Sequence, residues 1–271
     1  MQTFQIEKKY FFNTQSIWKD YPTDFLLLYF PGLLAIAFSH YLPKSEESTL
    51  FLIFAFIATG FLDSGHVYVT LWRTYFLPRE RQRSFVYWWA PVFFFSLFYL
   101  WTFQQWGYLA AFVVYATVFH NIRQLLGISK WYQRQNKSWT KISDIFLYLM
   151  CIVPFVGFHF RADTQLEHYY ATDELFRYPS SFLLQCTVGI YFTVLISWLS
   201  FEIIRWKRHQ EWNRFFSVLF AAIFYGYAFF IGKTIAQVLF PLVVSHGFAY
   251  LALTEFSLRK IHQKRRRRPF Y

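Results

Sequence analysis

Runs of about 20 mostly apolar residues recur along this chain, and nothing constrains its fold more. A run of that length crosses the hydrocarbon core of a bilayer as a helix. Eight can be marked, at residues 24–42, 49–73, 85–103, 106–127, 142–160, 181–204, 214–231 and 234–258. In lipid the backbone groups of a spanning segment must be satisfied without water, which leaves helices and closed barrels as the solutions. The length of the runs selects helices. The expectation is an all-α, polytopic membrane bundle of about eight transmembrane helices. Residues 1–23 read as a cytoplasmic N-terminal segment, 24–260 as a single transmembrane domain and 261–271 as a basic cytoplasmic tail.

Composition agrees with this reading. Only 15% of the 271 residues are charged, against roughly 25% in soluble domains. The 37 Phe, 20 Tyr and 11 Trp suit a lipid-facing surface, with Trp and Tyr at the interfaces. A formal charge of +12 would point to nucleic acid in a soluble protein, but here the positive residues lie in short loops and in the tail. Lys8, Lys9 and Lys19 precede the first span. RTYFLPRERQR, RQLLGISKWYQRQNKSWTK, RWKRHQEWNR and the terminal KRRRR follow spans two, four, six and eight. The opposite loops, KSEES and RADTQLEHYYATDELFR, are acidic or nearly neutral. The positive-inside rule then places both termini in the cytoplasm and runs the even-numbered spans from outside to inside. The expected partner is the bilayer, whose anionic headgroups KRRRR can touch. Nucleic acid is not expected.

Several classes are excluded. Cys151 and Cys186 both fall in apolar segments, so neither a disulfide framework nor a thiolate metal motif is available. There is no glycine-rich phosphate loop and no inverted repeat of the transporter kind. The N-terminus has no signal-peptide pattern, so the first span is expected to act as its own insertion signal. SKWYQRQNKSW (Ser129–Trp139) reads as a short amphipathic extension at the inner interface.

Within the second run, FLDSGHVYVTLWR carries Asp63 and His66 three residues apart, one turn apart on one helical face. Ionisable groups inside a span are costly and mark a functional site, with partners expected on neighbouring helices. FHNIRQ and SHGFAYLALTE supply them. His66, His120 and His246 each lie well inside an even-numbered span. Counted back from inner ends near Leu77, Lys130 and Arg259, they sit about 10 to 13 residues in, or roughly 15–20 Å, and can share one layer. Three neutral imidazoles at one depth suit Fe, Zn, Cu or Ni, and the open alternative is a polar helix-packing network. Asp63 is a fourth ligand or an orienting group. Gln124 and Tyr250, four residues after His120 and His246, can orient an imidazole or meet a substrate. Glu255 lies two turns further on, nearer the inner mouth. Ser245 and Gly247 flank His246 with small side chains that allow close helix approach. Arg73 and Arg123 either snorkel to headgroups or grip an anionic group of a substrate at the site mouth. Tyr225, Tyr227 and Gln237 are lesser pocket candidates.

The pattern of GHVYVTLWRTYF, FHNIRQLLGISKWY and SHGFAYLALTEF resembles bacterial multi-pass membrane proteins that carry a histidine on each of these helices. More distantly it is similar to the Brp/Blh-type membrane β-carotene dioxygenases. This chain keeps the HG of their PHGxxDH pattern, without the second histidine. The resemblance implies a non-haem iron held by intramembrane histidines, dioxygen chemistry on an apolar substrate, and residence in a bacterial inner membrane. The leading expectation is a metal-dependent oxygenase with Fe(II) on His66, His120, His246 and Asp63, with Tyr250, Gln124 and Glu255 as catalytic candidates. Arg73 and Arg123 would contact the lipid-soluble substrate, and a redox partner would be needed if external electrons are consumed. The alternatives are a b-type haem protein with two of these histidines axial, and a lipid acyltransferase or transporter using one intramembrane histidine, such as His246 with Glu255.

Overall fold

Every regular element in the computed structural model is helical. No strand occurs among the described residues, which are 17, 21–42, 48–71, 85–103, 109–132, 140–164, 176–209 and 212–266. The helices are α1 (Tyr21–Leu28), α2 (Phe30–Ser39), α3 (Thr49–Ala55) and α4 (Ser64–Leu71). They are followed by α5 (Phe85–Phe103), α6 (Leu109–Tyr132), α7 (Thr140–Phe158), α8 (Ser181–His209), α9 (Trp212–Gly226) and α10 (Ile235–Arg266). A π-helical segment, Phe56–Asp63, joins α3 to α4, and a second, Tyr227–Ile231, extends α9.

Among the described residues, five stretches are long and apolar enough to cross a membrane: Thr49–Val69, Lys141–Phe158, Ser181–Arg205, Arg214–Ile231 and Ile235–Phe256. The α1–α2 pair, bent by 44°, brings the number to six if it is one span. Pro31 lies in the first turn of α2, where its missing N–H is tolerated. The other two expected spans are helical as well. α5 has an apolar stretch at Pro91–Phe103. In α6 the polar residues His120, Asn121, Arg123 and Gln124 interrupt the apolar sequence.

Burial sorts the helices into a centre and a sheath. In both Arg214–Ile231 and Ile235–Phe256, 61% of the apolar window is buried, against 22% for Thr49–Val69 and 17% for Ser181–Arg205. The outer helices turn Phe56, Phe61, Phe182, Phe192 and Ile196 outward, as a bilayer solvent permits. α10 packs against α1, α2 and the first π-helical segment, while α7 packs against α8 and α9.

Gly32 and Gly247 set how closely α10 approaches α2 and the first π-helical segment. A Cβ on Gly32 of α2 would lie 2.6 Å from the Phe224 ring and 2.8 Å from Ser245 Cβ of α10. A Cβ on Gly247 would lie 2.9 Å from Leu62 Cβ and 3.0 Å from the Leu62 carbonyl oxygen. Small residues let backbones meet in this way where lipid offers no hydrophobic drive to association.

Buried polar groups tie the helix ends. Asp24 accepts hydrogen bonds from the Ile17 N–H at 2.7 Å and the Tyr132 hydroxyl at 2.9 Å. Arg214 Nε donates to Ser143 Oγ at 2.8 Å. The Asp24–Tyr132 contact joins the first turn of α1 to the last turn of α6, and the Arg214–Ser143 contact joins the first turns of α7 and α9. Beyond the far end of α7, the buried Arg161 donates to the carbonyls of Phe229 and Gly232, at 3.1 and 2.6 Å. It thereby satisfies orphan acceptors where the second π-helical segment ends. Asp163 pairs with Arg161, whose hydrogen bond holds its carboxyl below the usual carboxylate range.

Gly32→Ala is expected to lower the thermal unfolding midpoint in detergent, through overpacking worth about 1–3 kcal/mol. Gly189→Ala meets nothing within 4 Å and is expected to leave the midpoint unchanged or raise it, since alanine is the better helix former. Equal responses of the two variants would show that the α2–α10 approach does not limit stability.

Candidate metal centre

The local fold around His66 starts with the wide turn that precedes it. In the π-helical segment the N–H of Ser64 reaches back to the Thr59 carbonyl. The Ser64 hydroxyl donates to the same carbonyl at 3.0 Å, and the Thr59 hydroxyl donates to the Ala55 carbonyl at 2.6 Å. Side-chain donors thus support carbonyls that a regular ladder would serve. The extra residue per turn re-aims the side chains of α4, a device that recurs at functional sites. His66 is on the first turn of α4.

His120 comes from α6 and His246 from α10, and the three rings converge. One ring nitrogen from each lies within 4.8 Å of the others. His66 Nε2 and His246 Nε2 are 3.3 Å apart, with the rings edge to face and their centroids separated by 4.6 Å. The His120 ring lies 5.1 Å from that of His246 and 6.2 Å from that of His66, nearly parallel to the latter. His66 and His246 are buried, whereas His120 is exposed. Asp63 Oδ1 sits 3.7 Å from His66 Nδ1, on the nitrogen opposite the one that faces His246. The expected face-sharing of Asp63 and His66 is therefore present, and so is the convergence of three separate helices.

A cavity of about 510 Å³ opens beside the three rings. Its walls are Val67 on α4, Phe98 on α5, and Phe112, Val113 and Ala116 on α6, and Thr117 and Tyr250 add hydroxyls. The Tyr250 ring lies 5.2 Å from that of His66. Phe98 and Phe112, with ring centroids 6.3 Å apart, hold α5 to α6 at this wall.

Other expected site residues fall elsewhere. Gln124 Nε2 donates to the His246 carbonyl at 3.0 Å, so it ties α6 to α10. It lines a separate cavity of about 10 Å³ behind His246 rather than the large one. Arg123 is exposed and donates to the Tyr148 hydroxyl at 3.0 Å. Glu255 is exposed and absent from the lining of the large cavity, as its distance of about 14 Å along α10 from His246 requires. Arg73 and residues 133–139 of the expected amphipathic extension lie outside the described residues. Tyr225 is buried, with its hydroxyl 3.5 Å from the Val118 carbonyl. The Tyr227 hydroxyl meets His40 Nε2 at 2.8 Å, and Gln237 Oε1 accepts from the Lys233 N–H at 2.9 Å just before α10. Sequence reading passed over Asn121, which lines both cavities, because it neighbours a histidine without standing at helical spacing from one.

Compared with family models, with curated proteins and with solved structures, the chain finds no match. Its class therefore rests on the molecule itself. Among its described residues it is all-helical, with five to six helices apolar enough to cross a membrane and three histidines gathered from three helices.

The burial pattern predicts an order of chemical reactivity. Diethyl pyrocarbonate should carbethoxylate His120 well before His66 or His246, read by peptide mass spectrometry after timed exposure in detergent. Equal rates at the three histidines would contradict the arrangement.

Proposed function

We propose that this chain is a membrane-embedded, metal-dependent oxygenase, with a non-haem iron held by His66, His120 and His246 and a lipid-soluble substrate in the adjoining cavity. One observation carries the reading: three neutral-type ligands from three helices converge beside a large, mainly apolar cavity. The donor set fits a metal. Two imidazole nitrogens each about 2.0–2.1 Å from one ion at a tetrahedral angle lie about 3.3–3.4 Å apart, and His66 and His246 Nε2 are 3.3 Å apart. His120 completes a three-nitrogen set with a small movement of its exposed ring. Imidazole suits iron among the first-row metals, and a site with three protein ligands keeps positions open for chemistry. Bound iron would supply dioxygen activation.

The chain's own residues supply the rest. Asp63, on the Nδ1 side of His66, orients that ring and favours the Nδ1–H form, which leaves Nε2 as the ligand atom. It acts there as an orienting group rather than a fourth ligand. Val67, Phe98, Phe112 and Val113 exclude water and hold an apolar substrate against the histidines. Thr117 and Tyr250 offer hydroxyls to a polar group on that substrate. Arg123 and Arg73 belong to the cytoplasmic rim in the eight-span topology with both termini inside, which the loop charges support. A bacterial inner membrane is the corresponding location.

The 3.3 Å approach of His66 and His246 disfavours a haem with these two as axial ligands, because no macrocycle fits between the two nitrogens. Leu62 also fills the space beside Gly247. A single-histidine acyltransferase draws no support from Glu255, which stands apart from His246.

Elemental analysis and a visible spectrum of detergent-purified, metal-loaded protein test the proposal. About one iron per chain without a Soret band is expected, reduced strongly by each of His66→Ala, His120→Ala and His246→Ala. A strong Soret band would assign the haem reading. Absence of any transition metal after loading, in folded protein, would sink both.

A further inference from the structure

Behind His246, on the side away from the large cavity, lies the small cavity of about 10 Å³. That is about the space one water needs. Its lining includes Asn121, Gln124, Ser245 and His246, among apolar neighbours such as Leu28 and Phe224. Two polar atoms of this lining are buried without a hydrogen-bond partner, Asn121 Oδ1 and His246 Nδ1. Both residues are more than nine-tenths buried, at 8% and 5% exposure. Their neighbours are already engaged. Ser245 Oγ donates to the Leu242 carbonyl at 3.1 Å, and Gln124 Nε2 donates to the His246 carbonyl at 3.0 Å. Each retains an oxygen that can accept. An acceptor and a ring nitrogen left unsatisfied around a water-sized polar space, with further acceptors beside them, are the conditions for a structural water.

We infer that one water in this cavity accepts a hydrogen bond from His246 Nδ1–H and donates to Asn121 Oδ1, which makes Asn121 the positioning residue of His246. The inference rests on the reading of His246 as a metal ligand. A ring whose Nδ1 carries the proton presents an unprotonated Nε2, and Nε2 is the atom that faces His66. Ligating histidines ordinarily hand their other N–H to an acceptor that fixes tautomer and ring angle. For His66 the carboxylate of Asp63 stands nearby, 3.7 Å from Nδ1. For His246 the direct acceptor is missing, and Asn121 acts through the water. The arrangement also explains the place of Asn121 beside His120: α6 brings one ligand to the large cavity and, one residue on, the support of another ligand to the small one.

Two measurements decide it. In zinc competition titrations of purified protein, Asn121→Leu should weaken binding about 10–100-fold. Asn121→Asp, which keeps an acceptor oxygen in the same place, should restore most of the affinity. Leucine nearly matches asparagine in volume, so a role in packing alone would leave the zinc affinity of Asn121→Leu unchanged. A high-resolution map of the metal-free protein should show density within hydrogen-bond distance of Asn121 Oδ1 and His246 Nδ1. Equal zinc affinity of wild type and Asn121→Leu, or an empty cavity in that map, overturns the inference while the metal centre stands. If wild-type protein binds neither zinc nor iron, the metal reading fails, and the map still decides whether the water is there.

Discussion

The contact between Gly247 of α10 and the backbone at Leu62 is the constraint on which the rest of the site depends. A Cβ at position 247 would come within 3.1 Å of the Leu62 carbonyl carbon. The neighbouring residue, His246, is thereby held against the helix that carries His66. Ser245, on the other side, lies against Gly32 of α2. Three consecutive residues of α10 thus perform two close approaches and the placement of one histidine of the cluster. The small residues let α10 come close to α2 and to the segment that leads into α4, and across that approach the His66 and His246 rings meet with centroids 4.6 Å apart.

Burying polar groups in an apolar bundle is costly unless each is matched. The protein meets that cost differently in different layers. At one set of helix ends, hydroxyls and charges pair directly, as Asp24 with Tyr132 and Arg214 with Ser143. On α8, the buried Arg205 and Glu202 form a pair within a single helix, with Arg205 Nε donating at 2.8 Å. In the middle layer the histidines have chiefly one another. His66 and His246 share a single Nε2 contact. Asp63 reaches the edge of this cluster, 3.7 Å from His66 Nδ1.

Much of this was legible in the sequence, and the remainder was hidden for identifiable reasons. The apolar runs located the helices because length and hydropathy are enough to mark a span. The depth of His66, His120 and His246 placed them in one layer because α-helical rise is fixed. Helix adjacency was not legible, since hydropathy says nothing about which spans touch; the clue lay in the small residues around His246. The π-helical segment was also hidden. FIATGFLD has no proline or other local break, and the wide turn depends on the hydroxyls of Thr59 and Ser64 serving carbonyls. Gln124 stands four residues after His120, but that spacing could not show that its amide reaches a backbone carbonyl of α10 or that it lines the small cavity rather than the large one. Arg161 read as part of an outer loop, whereas it is buried as the cap of the second π-helical segment.

The histidines are unequal, and their inequality gives the centre a direction. His66 and His246 are buried on helices held together by the Gly247–Leu62 contact, and each has a group placed behind its ring, Asp63 for one and the small polar cavity for the other. His120 is exposed, on a helix whose side chains Phe112, Val113, Ala116 and Thr117 also form the wall of the large cavity. Two of the histidines are therefore fixed by packing, while the third belongs to the wall of the large cavity. In the proposed metal centre the ion would be held from behind, with its open side toward the cavity. The cavity is walled mainly by apolar side chains, so the proposed substrate would be selected by the solvent preference that also suits these helices to a bilayer.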